Sequence, residues 1–243
     1  GGPGMSAATT ALAAPSATPA NAAQLNRLAA EDLQALAWLH ERERTLPTLV
    51  ELHASGFCQT LSLLAPTHPA CVELGACLSE LGRLPADVHA TCNDDMAVDY
   101  AAIYLTHAYR AAPYESVWRD EDHLMMQAPT FEVRAFYSRF GYQVPDWRLM
   151  PDDHLAHELL FVAHLLSDNH EREAARFLHT HLMTWLPDWA AQVGKRARTQ
   201  FYASLAQLTL ACVEQCVTRL PKVAVIPAVR SSPTSSCGTA TPC

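Results

Sequence analysis

The stretch Pro151–Leu166, PDDHLAHELLFVAHLL, decides how the chain reads. A proline followed by Asp152 and Asp153 opens it as a helix, with side-chain oxygens placed to cap free amides and oppose the helix dipole. Leu155, Leu159, Val162 and Leu166 recur at helical spacing and form one buried stripe. His154 and Glu158 stand four residues apart, so they share a face beside that stripe. The stretch therefore predicts a rigid helix carrying acidic and imidazole groups next to apolar surface.

The same reading extends outward in both directions. Before it, apolar residues recur at helical spacing over Gln24–Arg44, in a short segment after Pro47, over Phe57–Leu64, over Ala70–Leu81 and from Asn93 to about Tyr109. Residues 110–130, with two prolines and the acidic run Asp120-Glu121-Asp122, predict a long ordered loop, and such loops carry function more often than connection. Phe131–Phe140, His170–Trp185 and Thr199–Leu220 complete the helical set. No segment keeps the period-2 alternation of a strand. The expected fold is all-α: one globular domain of about ten helices over residues 21–220. Disordered tails are expected at 1–20 and 221–243, and Gly1–Gly4 before Met5 read as a cloning remnant.

The 243 residues suffice for a sizeable core. A formal charge of -8 disfavours nucleic acid, whose phosphates need basic partners, and favours cationic ones. The first basic residue is Arg27, so an export signal is not expected. No apolar run approaches the roughly 20 residues of a membrane span. A cytoplasmic location is expected, and there the eight cysteines stay reduced. Cys58, Cys71, Cys77 and Cys92 fall in helical patterns as small apolar residues. Cys212, Cys216, Cys237 and Cys243 lack the spacing of a zinc knuckle, which leaves their role open.

Catalytic motifs are missing. There is no phosphate-binding glycine loop, no dinucleotide fingerprint and no nucleophile elbow. His154, His157 and Glu158 share a helix face and give the alternative reading, a metal-dependent helical enzyme. Neither H-E-x-x-H nor H-x-x-E-H is present, however. No cofactor, no metal and no enzymatic activity are expected.

Three motifs remain, in order: Asp99-Tyr100-x-x-Ile103-Tyr104, then Ala112-Pro113-Tyr114-Glu115-Ser116-Val117, then Asp153-His154-Leu155-x-x-Glu158-Leu159-x-Phe161. Together they resemble the TorD/DmsD/NarJ family of redox-enzyme maturation chaperones, most closely its TorD-like branch. The likeness runs over about residues 25–215 and is specific over 99–161. Ile103-Tyr104 replaces the usual Leu-Phe, Ala112 replaces the first of two prolines, and Asp152 is an additional carboxylate.

The resemblance implies an all-helical cytoplasmic chaperone, monomeric or homodimeric. It would bind the twin-arginine signal peptide and apo catalytic subunit of a molybdopterin-dependent oxidoreductase, aid cofactor insertion and prevent premature export. Molybdenum-cofactor synthesis proteins are further candidate partners. The guanine-nucleotide binding attributed to some members has no motif here. The resemblance places client binding at Tyr100, Ile103, Tyr104, Asp153 and His154. Pro113, Tyr114, Glu115, Ser116 and Glu158 join them on residue chemistry, because carboxylates suit guanidiniums and aromatic residues suit the apolar part of a leader. Four buried apolar side chains give roughly 6–12 kcal/mol gross, and ordering the peptide removes about 2–5 or more. What is left lies near the roughly 8 kcal/mol of micromolar binding.

Overall fold

A computed structural model describes residues 19–223. They form eleven α-helices: α1 (Pro19–Glu41), α2 (Leu46–Ala54), α3 (Phe57–Thr60), α4 (Pro69–Leu81), α5 (His89–Tyr100), α6 (Glu115–Arg119), α7 (Ala128–Ser138), α8 (Leu155–Ser167), α9 (Glu171–Thr180), α10 (Leu186–Arg196) and α11 (Gln200–Arg219). Among the described residues there is no strand, as the sequence patterns predict, and no helix is long and apolar enough to cross a membrane. Of the tails expected at 1–20 and 221–243, residues 1–18 and 224–243, with Cys237 and Cys243, lie outside the described residues, while Pro19 and Ala20 open α1.

The helix read first lies at the centre. Its predicted stripe is sealed, with Leu155, Leu159 and Val162 at 0% exposure and Leu166 at 1%. Phe161, Ala163 and Leu165 are buried as well, so α8 is enclosed nearly all round and packs most extensively along α1. A second centre is α11, lying against α4 and α10. The fully buried Trp185, Trp189, Phe177 and Tyr202 join both into one apolar core.

Local chemistry sets the helix ends. Prolines stand in the first turns of α2, α4, α7 and α10, where their missing amide hydrogen costs nothing. Gly56, at φ 74°, makes the left-handed reversal between α2 and α3. His68 and His154 cap α4 and α8 with the imidazole Nδ1, each accepting the amide two residues on, at 3.2 and 3.1 Å. The cap of α8 is thus His154, not the Asp152–Asp153 pair expected from sequence. Both carboxylates are drawn elsewhere.

The structure departs from the periodicity reading in several places: α10 answers to no predicted helix, and the one expected over Phe57–Leu64 stops at Thr60. The helix expected to reach Tyr109 ends at Tyr100 and continues as a single π-turn, Ala101–Leu105. The helix expected over 170–185 stops at Thr180 and passes through a 3-10 turn, Leu182–Thr184. The 110–130 loop contains the short α6. The start of α6 is set by long-range bonds, the Glu115 and Ser116 amides donating to Asp153, which a local pattern does not register.

Candidate functional site

Two of the three motifs are joined backbone to backbone. Tyr114 and His154 form an isolated antiparallel bridge. The Leu155 amide donates to the Pro113 carbonyl at 2.9 Å, and the Glu115 amide to the Asp153 carbonyl at 3.0 Å. The Asp153 carboxylate also accepts the Ser116 amide at 2.8 Å. Residues far apart in the chain therefore meet as one unit at the start of α8.

The third motif reaches the same place through rings. Tyr100 and Tyr104 stack with centroids 4.8 Å apart, one helical turn apart on α5 and its π-turn. Tyr104 lies 6.4 Å from the His154 ring, His154 5.0 Å from Tyr114, and Tyr114 5.8 Å from His107. At the other end Tyr100 is 6.4 Å from Tyr202. The result is a continuous row of rings, Tyr202–Tyr100–Tyr104–His154–Tyr114–His107. Ile103, fully buried, fills the core beside it.

Behind the row stands a buried polar layer. Thr209 donates its hydroxyl hydrogen to the Leu205 carbonyl at 2.9 Å, so its oxygen accepts from Nε2 of His40 at 2.8 Å. Nδ1 of His40 must then accept, and the Tyr104 hydroxyl donates to it at 2.6 Å. Burial lowers the His40 pKa from 6.5 to about 3, which keeps this tautomer neutral. His40 was not singled out from sequence, although it continues the buried Leu33–Leu36–Ala37 face of α1. Asp99 is likewise buried and accepts from Tyr109, from the Arg198 and Thr199 amides and from the Thr199 hydroxyl, tying α5 to the start of α11.

Of the carboxylates expected to meet guanidiniums, Glu115, Asp153 and Glu158 are enclosed, as is Asp152, whereas Glu121 and Asp122 are exposed. Glu115, at 0% exposure, pairs with Arg119 and accepts from Nδ1 of His181 at 3.1 Å. Asp152 accepts from Arg134 at 2.7 Å. Glu158, also fully buried, receives the Trp185 indole hydrogen at 3.3 Å. Burial first, and then the charges of Glu115 and Asp153, push its carboxyl well above the ordinary range, which favours its neutral form. Burial also raises Asp153; the Ser116 amide opposes this, and the Ser116 and Thr130 hydroxyls lie near enough to favour its charge without reaching hydrogen-bond geometry.

The predicted residues are thus brought together, and all of them are buried. Tyr100 keeps 9% exposure, Tyr114 6% and Tyr104 5%, while Asp153, Glu115, Glu158 and Ser116 keep none and His154 2%. His154, His157 and Glu158 do not converge on a point. Among the described residues no three His, Cys, Asp or Glu side chains are placed to hold a metal ion. Six cysteines are free thiols inside or at the edge of the core, and burial raises Cys58 and Cys77 to about 11 and Cys216 to about 12.

The accessible feature beside this cluster is a cleft of about 750 Å³. Ala112, Val117, Trp118, Leu124 and Met125 give it an apolar wall, and His107, Arg110, His123 and Gln192 add polar groups. The 109–112 segment is pinned by side chains: Gln192 donates to the Tyr109 carbonyl at 3.0 Å, Trp189 to Ala111 at 2.9 Å and Trp118 to Ala112 at 2.8 Å. His107, Arg110, His123 and Met126 all adopt positive φ, between 52° and 60°. Left-handed backbone at four non-glycine residues is costly, and its gathering here marks a segment shaped for more than connection. The exposed Glu121 and Asp122 precede the cleft-lining His123–Met125.

A profile of the nitrate reductase delta subunit family matches residues 62–191. The chain is 32% identical over 129 residues to the chaperone protein TorD of Vibrio parahaemolyticus, a match spanning 48% of this chain and 60% of that protein. It is 29% identical over 203 residues to the chaperone protein TorD of Vibrio cholerae, covering 79% of this chain and 91% of that one. Against the chaperone protein TorD of Shewanella piezotolerans, identity is 28% over 188 residues, 74% and 86% of the two chains.

Proposed function

The chain belongs to the nitrate reductase delta subunit family, and on that premise we propose that it is a chaperone for maturation of a molybdenum-dependent oxidoreductase. Its client is the apo catalytic subunit, held through its twin-arginine signal peptide in the cytoplasm until the cofactor is loaded. The protein makes and breaks no bond of its own in this role. Residues 21–220 are the working domain.

The observation that carries this reading is the cleft lying directly against the joined motifs. The apolar part of the leader lies along Val117, Trp118, Leu124 and Met125, which provide contact area without committing to one sequence. Glu121 and Asp122 attract the cationic leader to the protein, an effect of charge on encounter rather than of buried pairing. Tyr104, Tyr114, Glu115, Ser116, Asp153, His154 and Glu158 support the cleft from behind. In this conformation Tyr104, Glu115 and Glu158 bond to the interior residues His40, His181 and Trp185, and Asp153 to the Ser116 amide, so they act by fixing the loop that the client touches.

Calorimetric titration with a synthetic leader peptide tests the proposal. Leu124→Asp and Trp118→Ala are expected to weaken binding about tenfold or more, with helix content unchanged, as a centrally placed aromatic anchor does. Equal affinity for both variants and the parent would remove the cleft from the mechanism.

A further inference from the structure

The turn between α1 and α2 reads Arg42-Glu43-Arg44-Thr45 and lies at the end of the ring row opposite the cleft. Arg44 is only 8% exposed. Its guanidinium carbon lies 3.6 Å from the centre of the Trp38 ring, and it donates to the Trp38 carbonyl. Its charge acts on the hydroxyls of both Tyr100 and Tyr202, the first two rings of the row. The Tyr100 hydroxyl donates to the Glu41 carbonyl at 3.4 Å, which holds the turn against the rings.

This placement is poorly satisfied. Nε of Arg44 and the Tyr202 hydroxyl are both buried without a hydrogen-bond partner among the described residues. The ion pair formed on this turn is instead Arg42 with Glu41, at 3.5 Å on the surface. A buried donor left unpaired costs more than its bond would have contributed. A guanidinium suits the place chemically, since it is planar, weakly hydrated and stacks on aromatic faces as an ammonium does not.

We propose that Arg44 fills a guanidinium site in the free protein, and that an arginine of the client leader replaces it there. The proposal rests on the client reading above. On displacement Arg44 swings out beside Glu41 and Glu43, and the incoming arginine stacks on Trp38 at the Tyr100 end of the row. The leader's apolar part then passes over the surface outside the buried row to the cleft. An internal occupant present about nine-tenths of the time weakens the apparent affinity of a competitor about tenfold. Selectivity for arginine over lysine comes from the aromatic stacking.

The test is calorimetry with two synthetic leaders of about 20 residues, long enough for a cationic start and an apolar stretch. One carries an Arg-Arg pair and the other Lys-Lys at the same positions. Arg44→Ala is expected to bind the Arg-Arg leader about 3- to 10-fold more tightly than the parent, with little change for Lys-Lys. Arg42→Ala, which removes the same charge from an exposed position, should leave both affinities near the parent value. Arg44→Gln keeps the packed stem and gives the same answer should the alanine variant not fold. Unchanged or weaker binding by a folded Arg44 variant overturns the internal occupant while the client reading stands. Equal tightening toward both leaders reduces the effect to net charge and overturns it too. No binding of the Arg-Arg leader by any of the proteins removes the client reading and this site with it.

Discussion

Ser116 donates its amide hydrogen to the Asp153 carboxylate at 2.8 Å, linking two segments 37 residues apart in sequence. Neither group reaches solvent, so the bond fixes the cleft loop to the head of α8. Asp153→Ala leaves the Ser116 amide buried without an acceptor, at a cost of about 1–3 kcal/mol. Asp153→Asn retains an oxygen acceptor and should lose less. Urea unfolding of the three proteins measures the difference, and equal midpoints would show that the contact carries no stability.

Glu158 ties stability to pH with a defined sign. Its folded carboxyl is held well above the unfolded value of 4.5, so the stability it contributes is present below pH 4.5 and is lost as pH rises toward the folded pKa. Glu158→Gln mimics the protonated form and removes that loss. The variant should gain on the parent steadily from about pH 4.5 upward in denaturant unfolding. Parallel stability curves for the two would contradict the raised pKa of the buried carboxyl.

His40 acts in the opposite direction. Its pKa falls from 6.5 to about 3 on folding, so its contribution is full above 6.5 and is lost as pH drops through that window. The limit is on the order of 5 kcal/mol. His40→Gln should flatten this acid limb relative to the parent. His40→Ala should also cost about 2–4 kcal/mol at neutral pH, from the cavity and the stranded Tyr104 hydroxyl.

The exposed pair Glu121 and Asp122 should govern encounter more than grip. Reversing both to lysine is expected to lower affinity for a cationic leader about two- to tenfold and to flatten its salt dependence. Stopped-flow association rates at two ionic strengths check this. An unchanged rate would separate the acidic run from client capture.

Much of the fold was legible because α8 states its burial in plain spacing: Leu155, Leu159, Val162 and Leu166 lie where a helical period puts them. The same rule placed α11 to within a residue of Thr199–Leu220. The π-turn at Ala101–Leu105 was not legible, since one added residue leaves the apolar composition unchanged while rotating everything after it. Nor was the fate of the carboxylates. An acidic residue beside an apolar stripe reads as an exposed edge, and partners distant in sequence such as Arg134 for Asp152 and His181 for Glu115 turn it inward. His40 carried a usable signal, a polar residue in register with a leucine face, but its partners Tyr104 and Thr209 are too distant in sequence to name in advance.

The division between the joined motifs and the cleft wall has a consequence for how such a protein changes clients. Asp153, His154, Glu115 and Ser116 constrain one another, so a substitution at any of them disturbs the others. Leu124, Glu121 and Asp122 face water, and among the described residues the two carboxylates make no side-chain hydrogen bond. Retargeting can therefore proceed by drift along the rim, one exposed residue at a time, while the interior scaffold is inherited intact.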